Sequence, residues 1–292
     1  MDWLDSLILG VVQGLAEYLP ISSSGHLQIC RDVLDLKLAG AEAMEFDVAL
    51  HAATVLSTIV VLWKEFLPLC KSFFTFKNDS NTQFVLKILL SCIPIMIVGF
   101  LLSDYIEELF KGNLLIVGIC LIVTASLLSF SYFYRTRSDN KLASATGLPK
   151  PARDINFRDA FIIGCAQAIA VLPGLSRSGT TIATGLILGD KREQVARFSF
   201  FMVIIPILGE ALLNLKDMLT DAAEPVAHGV ATAGEQVSVG MSATLIGFFS
   251  AFIVGCLACK WMLDIVKKGK LIWFAVYCAI AGAFCILYNI CG

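Results

Sequence analysis

Twice in this chain an apolar segment is interrupted by proline and a serine-rich turn, leaving two pieces too short to cross a bilayer. The first, Gly10 to His26, reads G-V-V-Q-G-L-A-E-Y-L-P-I-S-S-S-G-H; the second, Gly164 to Thr181, reads G-C-A-Q-A-I-A-V-L-P-G-L-S-R-S-G-T-T. A membrane-crossing helix needs about 20 apolar residues, and proline stops a helix by removing a donor and clashing with the preceding turn. Each segment therefore reads as a re-entrant hairpin, since irregular backbone is tolerated at membrane depth only inside protein or beside a wet cavity. Superposing the two pairs Gly10 with Gly164, Gln13 with Gln167, Ser22 with Ser176, Ser24 with Ser178 and Gly25 with Gly179, while Pro20 and Pro173 fall one place out of step. Duplicated broken helices are a mark of inverted-repeat membrane folds.

The rest of the chain fits that frame. At 57% hydrophobic and 16% charged residues, it is too apolar for a soluble domain and reads as a polytopic membrane protein. The start carries Asp2 and Asp5 without a basic residue, so it does not read as a signal peptide. Full spans are expected at 46–63, 84–103, 113–134, 197–215, 241–263 and 271–290, beside hairpins at 3–36 and 159–188. Residues 135–158, with Gly147, Pro149 and Pro151, read as a cytoplasmic linker between a first repeat, 1–134, and a second, 159–292. Placing the basic connectors inside puts 17 of the 22 Lys and Arg in the cytoplasm. That works only if the hairpins enter from opposite faces, the first from outside, with both termini outside. The fold class is thus an all-α integral membrane protein: an inverted-topology repeat of six transmembrane helices plus two re-entrant helical hairpins. The net charge of −2 and the lack of a separate basic patch give no reason to expect nucleic acid. The ten cysteines are scattered, and Cys256 and Cys259 sit inside an apolar helix, where small apolar filler is the default.

Chemistry concentrates at the two turns. Gln13 and Glu17 share a helix face. The serines before Gly25 and before Gly179 suit helix N-caps, and helix N-termini attract phosphate. Hairpins from opposite faces would bring Ser22, Ser23, Ser24 and His26 to Ser176, Arg177, Ser178, Thr180 and Thr181, with Glu17 close by. An intramembrane Arg and Glu are costly unless paired or functional, and the Arg fork suits phosphate oxygens. Two helix N-termini aimed at one point suit a group with several negative charges, such as a lipid diphosphate. The competing reading is a structural Glu17–Arg177 ion pair, which leaves the hydroxyls and His26 unused. Elsewhere, His51 near Asp47 reads as a packed helical histidine or as cavity lining. Glu210 is an intramembrane carboxylate, or one that reaches water at the end of its span, and His228 lies in an acidic loop.

These residues also carry a resemblance. Glu17 with S-S-S-G-H, together with P-G-L-S-R-S-G-T-T, resembles the two signature regions of the undecaprenyl-diphosphate phosphatase family of the bacitracin-resistance type, and the likeness extends over nearly the whole chain. It implies six spans and two hairpins, and Glu17, Ser23, His26 and Arg177 as the catalytic set. The implied activity is hydrolysis of undecaprenyl diphosphate to undecaprenyl phosphate and inorganic phosphate, which recycles the cell-wall lipid carrier and confers bacitracin resistance. The expected setting is the bacterial plasma membrane, with the site opening to the outer side. Gln13, Ser22, Ser24, Gly25, Ser176, Ser178, Gly179 and Thr181 are expected around the substrate, with the Gly25 and Gly179 N–H groups and Arg177 on phosphoryl oxygens. A divalent cation, Mg or Ca, is expected on Glu17. The chain departs from the pattern at Gln13, where the motif often begins with Glu, although Gln is also accepted, so more of any metal role falls on Glu17. Ser23 is the preferred nucleophile, with its proton passing to His26 or Glu17; His26 and direct attack by water are the alternatives. A homodimer is left open.

Rival classes fare less well. The type-2 phosphatidic-acid phosphatases need a histidine several residues beyond S-R, where this chain has Thr180 and Thr181. No G-x-x-x-x-G-K-[ST] loop occurs, and no paired aspartates mark an intramembrane protease. A polyprenyl-phosphate flippase is the serious alternative, because it would need the same phosphate site without a nucleophile.

Overall fold

The computed structural model describes residues 1–36, 41–110, 113–146, 152–209, 211–212 and 240–291. Both interrupted segments form helical hairpins, α1 (Trp3–Ala16) with α2 (Ser23–Val33), and α7 (Phe157–Ile169) with α8 (Arg177–Leu188). The remaining helices are α3 (Ala41–Val61), α4 (Trp63–Phe74), α5 (Ser80–Phe110), α6 (Leu114–Thr146), α9 (Arg192–Met202), α10 (Met241–Lys268) and α11 (Ile272–Cys291). Among the described residues, five stretches are long and apolar enough to cross a membrane: Ala43–Val61, Ser80–Leu102, Leu114–Asn140, Met241–Lys268 and Ile272–Ile290.

The expected span at 197–215 is not a continuous helix. α9 stops at Met202, and a new helical stretch begins at residue 204. Pro206 explains the break: it has no N–H to give the Met202 carbonyl, and its ring crowds that carbonyl. The freed Met202 oxygen accepts instead from Cys92 Sγ of α5 at 3.5 Å. Two other connections differ from the sequence reading. The stretch after residue 63 forms α4, which buries Leu69 and Ser72 and exposes Leu67 and Phe74, as suits a helix lying in the membrane interface. α6 runs on to Thr146, so the first part of the expected linker is helical. Glu210 and His228 lie outside the described residues.

Close helix contacts hold the hairpins. α1 packs on α10, and α7 packs on α5. Helices associate in lipid through small residues that let backbones approach, and both contacts use them. A Cβ at Gly10 would lie 2.4 Å from the Gly247 carbonyl oxygen, and one at Gly164 would lie 2.3 Å from the Ser91 carbonyl oxygen. α6 packs against both α8 and α11, while α10 also packs against α3. The two ends of the molecule are marked by ion pairs. Arg31 of α2 pairs with Asp47 near the start of α3. At the far end of α3, Glu65 of α4 meets Arg197 at 3.2 Å, and Lys267 of α10 meets Glu193 at 3.1 Å. The same end holds the base of the second hairpin, where Arg153 contacts Asp159 at 2.9 Å and Asp190 at 3.5 Å.

Candidate active site

The two hairpin turns interlock. A Cβ at Gly25 of the first would touch Gly174 of the second, and one at Gly179 would touch Pro20. Gly174 has φ +90°, a conformation that costs glycine little and other residues much. Ser178 Oγ donates to the Leu19 carbonyl at 3.1 Å, tying one turn to the other. Thr124 of α6 anchors the second turn from outside, accepting from the Ser176 N–H at 3.0 Å.

Glu17 is the hub. It caps the C-terminus of α1, and its carboxylate is nearly buried. Arg177, the first residue of α8, donates to Oε1. Gln13 Nε2 donates to Oε2 at 3.0 Å, and Ser23 Oγ donates to the same oxygen at 2.9 Å. His51 of α3 brings Nε2 to 4.0 Å from Oε2. Its neighbour Asp47 is taken by Arg31, so His51 turns to the site rather than along its own helix. Behind the pair lies a small cavity lined by Glu17, Tyr18, Thr54, Thr58, Arg177 and Ser199, of about 10 Å³, room for about one water. The Tyr18 hydroxyl is held there by the Thr54 carbonyl at 2.6 Å and by Thr58 at 2.8 Å.

Ser22 sets the start of α2. Its φ of +71° lies in the left-handed region, a strain of roughly 1–3 kcal/mol that persists only where surroundings impose it. Its hydroxyl accepts from the Gly25 N–H at 3.3 Å, and its carbonyl accepts from His26 Nδ1 at 2.8 Å. Ser176 does the same for α8, accepting from the Gly179 N–H at 3.1 Å. The Gly25 and Gly179 N–H groups expected on phosphate are thus capped by serines. The first two N–H groups of each helix, at Ser23, Ser24, Arg177 and Ser178, have no partner within their helices and are the ones left to receive an anion.

The other expected residues divide into two sets. Ser24 is exposed and Ser23, His26 and Arg177 are partly so, and of these Ser23 and Arg177 meet on the Glu17 carboxylate. Gln13, Ser22, Ser176, Ser178 and Thr181 are buried. Thr181 Oγ1 bonds the Arg177 carbonyl at 2.9 Å and Ser199 at 2.6 Å, so its hydroxyl joins α8 to α9. The sequence reading missed Tyr277 of α11, whose hydroxyl lies 2.7 Å from His26 Nε2.

The donors do not by themselves make a metal cage. Glu17 is a single carboxylate with both oxygens engaged, and among the described residues no group of three His, Cys, Asp or Glu converges. Divalent cations of the Mg type take several oxygens, so a cation here would draw most of them from a bound phosphate.

With this geometry in hand, the relatives become informative. The model of the family described as bacitracin resistance protein BacA matches residues 6–284. The chain belongs to the BacA family. Relatives named undecaprenyl-diphosphatase include one from Bacteroides thetaiotaomicron, 50% identical over 98% of this chain and 99% of its own length. Another, from Parabacteroides distasonis, is 49% identical over 97% and 96%. A third, from Methanosphaera stadtmanae, is 35% identical over 99% of both chains. The BacA match takes in both turns and all but the first residues of the first hairpin, so the interlocked turns lie wholly inside the family's region.

Proposed function

We propose that this chain hydrolyses undecaprenyl diphosphate to undecaprenyl phosphate and inorganic phosphate, an activity named for its full-length BacA relatives. The observation that carries the mechanism is the Ser23 hydroxyl, placed at a helix N-terminus and donating to a carboxylate that Arg177 neutralises. Ser23 Oγ attacks the terminal phosphorus while its proton passes to Glu17 Oε2. The bond from phosphorus to the bridging oxygen breaks, and undecaprenyl phosphate leaves with that oxygen. Protonation of Glu17 weakens its pair with Arg177, so the guanidinium fork is released to the phosphoryl oxygens as their charge develops. The free N–H groups at the starts of α2 and α8 hold the same oxygens. Water then attacks the phosphoserine and gives a proton to His26, while Glu17 returns its proton to Ser23 Oγ as the bond from phosphorus to Oγ breaks; inorganic phosphate leaves, and His26 gives up its proton to solvent.

Glu17 is thus the acceptor of the Ser23 proton, because it holds that hydrogen bond and His26 is turned elsewhere. Gln13 orients the carboxylate, and Ser22, Ser176, Ser178 and Thr181 hold the turns. Glu17 is the residue that would hold a Mg or Ca ion beside a bound diphosphate, and such an ion would supply charge neutralisation for the phosphate oxygens.

The same reading treats residues 1–134 and 159–292 as inverted repeats of one hairpin and three spans, joined through 135–158. Each hairpin packs against the middle full span of the other half, α1 on α10 and α7 on α5, as an inverted pair requires. The protein sits in the bacterial plasma membrane, with Ser24 at the outer opening and the polyprenyl tail in the bilayer.

The test is phosphate release from undecaprenyl diphosphate by purified protein, with stoichiometric undecaprenyl phosphate and complete loss in Ser23→Ala. Transbilayer movement of polyprenyl phosphate in vesicles without any phosphate release would instead support the flippase.

A further inference from the structure

His26 belongs to the reacting set on the reading above, yet its own hairpin holds only one of its two ring nitrogens. One nitrogen is settled by chemistry. Nδ1 lies 2.8 Å from the Ser22 carbonyl, which only accepts, so Nδ1 carries a proton. In the neutral ring the lone pair then resides on Nε2, the nitrogen that lies 2.7 Å from the Tyr277 hydroxyl. The two rings also stack, with centroids 5.5 Å apart and planes 18° apart.

Tyr277 reaches this position on the last span, 251 residues away in sequence. Its neighbour Cys278 points Sγ at the Pro20 carbonyl, 3.4 Å away. Two successive residues of α11 therefore grip the first hairpin, one at its proline turn and one at the first turn of α2. The second grip is an independent sign that α11 is built against this turn and that the Tyr277 contact is no chance approach.

We propose that Tyr277 is a positioning residue for the reaction: its hydroxyl fixes the orientation of the His26 ring by holding Nε2, the nitrogen that the Ser22 carbonyl leaves free. The choice of a hydroxyl has a physical reason. Tyrosine can donate to the neutral ring and, after rotation of its O–H, accept from the imidazolium. Nε2 gains the proton in the second half-reaction once the Tyr277 O–H has turned off its lone pair, and the Tyr277 oxygen then accepts from the new N–H. Phenylalanine could stack in the same place but could hold neither state, leaving Nε2 without a partner and the ring held by the Ser22 carbonyl alone.

The experiment compares Tyr277→Phe with the parent and with His26→Asn, using phosphate release and ¹⁵N NMR of histidine-labelled protein, the His26 signals being assigned by their loss in His26→Asn. In the parent, His26 should show protonated Nδ1 and bare, hydrogen-bonded Nε2. Tyr277→Phe should lower kcat by about tenfold or more, within the range of proton-transfer catalysis. KM should stay within about twofold, because Arg177 and the helix ends still bind the diphosphate. The His26 Nε2 signal should move to that of a bare nitrogen without a hydrogen-bond donor, while Nδ1 stays protonated on the Ser22 carbonyl. An unmoved spectrum, an unchanged kcat, or an effect confined to KM would each overturn the proposal. The reading on which it rests fails separately: if the parent releases no phosphate, or His26→Asn is fully active, His26 is outside the machinery. Tyr277 then positions nothing for this reaction, whatever the spectrum of the Phe variant.

Discussion

The placement of Arg177 depends on how closely α7 lies against α5, and one methyl group tests that dependence. In Gly164→Ala the added Cβ would meet three backbone atoms of Ser91: the carbonyl oxygen at 2.3 Å, Cα at 2.7 Å and the carbonyl carbon at 2.9 Å. No rotamer change relieves a clash with backbone, so α7 must retreat by about 1 Å to restore ordinary contact, which begins near 3.4 Å. Overpacking of this kind costs typically ~1–3 kcal/mol. The retreat carries the second hairpin with it, and with it Arg177 relative to Glu17. A displacement of about 1 Å at a reacting centre costs on the order of a hundredfold in rate. The assay is kcat/KM for phosphate release in detergent, alongside thermal stability. Gly99→Ala on α5 is the control, since a Cβ there meets nothing within 4 Å. It should be neutral or stabilising, because alanine is favoured over glycine in a helix by up to ~1 kcal/mol. Gly164→Ala with parental turnover and parental stability would refute the reasoning that this backbone contact sets the geometry of the site.

Three further predictions follow from the same contacts. Arg177→Lys keeps the charge and loses the fork, so turnover should fall by about a hundredfold or more with the fold retained. Arg177→Ala should also destabilise, at the lower end of the ~3–5 kcal/mol seen when a buried pair loses one member, because Arg177 keeps 24% of its side chain exposed; near-native turnover in the Lys variant would favour a purely structural ion pair. Cysteines introduced at Ser144 and Ser242, in a background without native cysteines, should label from the cytoplasmic and outer sides respectively, and labelling of both from one side would contradict the inverted repeat. At the base of the second hairpin, burial and the neighbouring Asp159 push the Asp190 carboxyl up to about 6 despite Arg153. The folded chain therefore keeps a proton that the unfolded chain has lost between about pH 4 and 6, so this group's contribution to stability falls as pH rises through that window and levels above it. Asp190→Asn should abolish that slope and be more stable than the parent at pH 7.5 by about 2–3 kcal/mol, read by thermal melts at pH 5 and 7.5; a difference that does not change between those two pH values would contradict it.

Much of this architecture is legible in local sequence, because its causes are local. Pro20, Pro173 and the N-cap serines stop and restart helices through chemistry confined to a few residues. Hydropathy marks the long spans because lipid exposure demands it along their whole length. The Glu17–Arg177 pair is readable too, since two opposite charges in apolar surroundings must find each other. What escapes the sequence depends on which faces meet. Asp47 is a plausible partner for His51 one turn away, yet Arg31 takes Asp47 and leaves His51 to face Glu17. Tyr277 looks like any aromatic residue in a terminal span, and only the approach of α11 to the first hairpin gives its hydroxyl a partner. The Gly25 and Gly179 N–H groups look available in sequence, but the serines that cap the helices take them first. The break at Met202 had a local cause in Pro206, which mean hydropathy over 197–215 does not register.

The central claim is that Ser23 is the nucleophile and Glu17 the acceptor of its proton. The most direct measurement is rapid quenching of the protein with undecaprenyl diphosphate labelled in the terminal phosphate, with quenching in acid and in base. The account predicts an acid-stable phosphoserine on Ser23, absent from Ser23→Ala, and retention of configuration at phosphorus over the full reaction. An acid-labile, base-stable adduct that persists in Ser23→Ala would place the phosphate on His26, and inversion at phosphorus would mean direct attack by water; either result would contradict it.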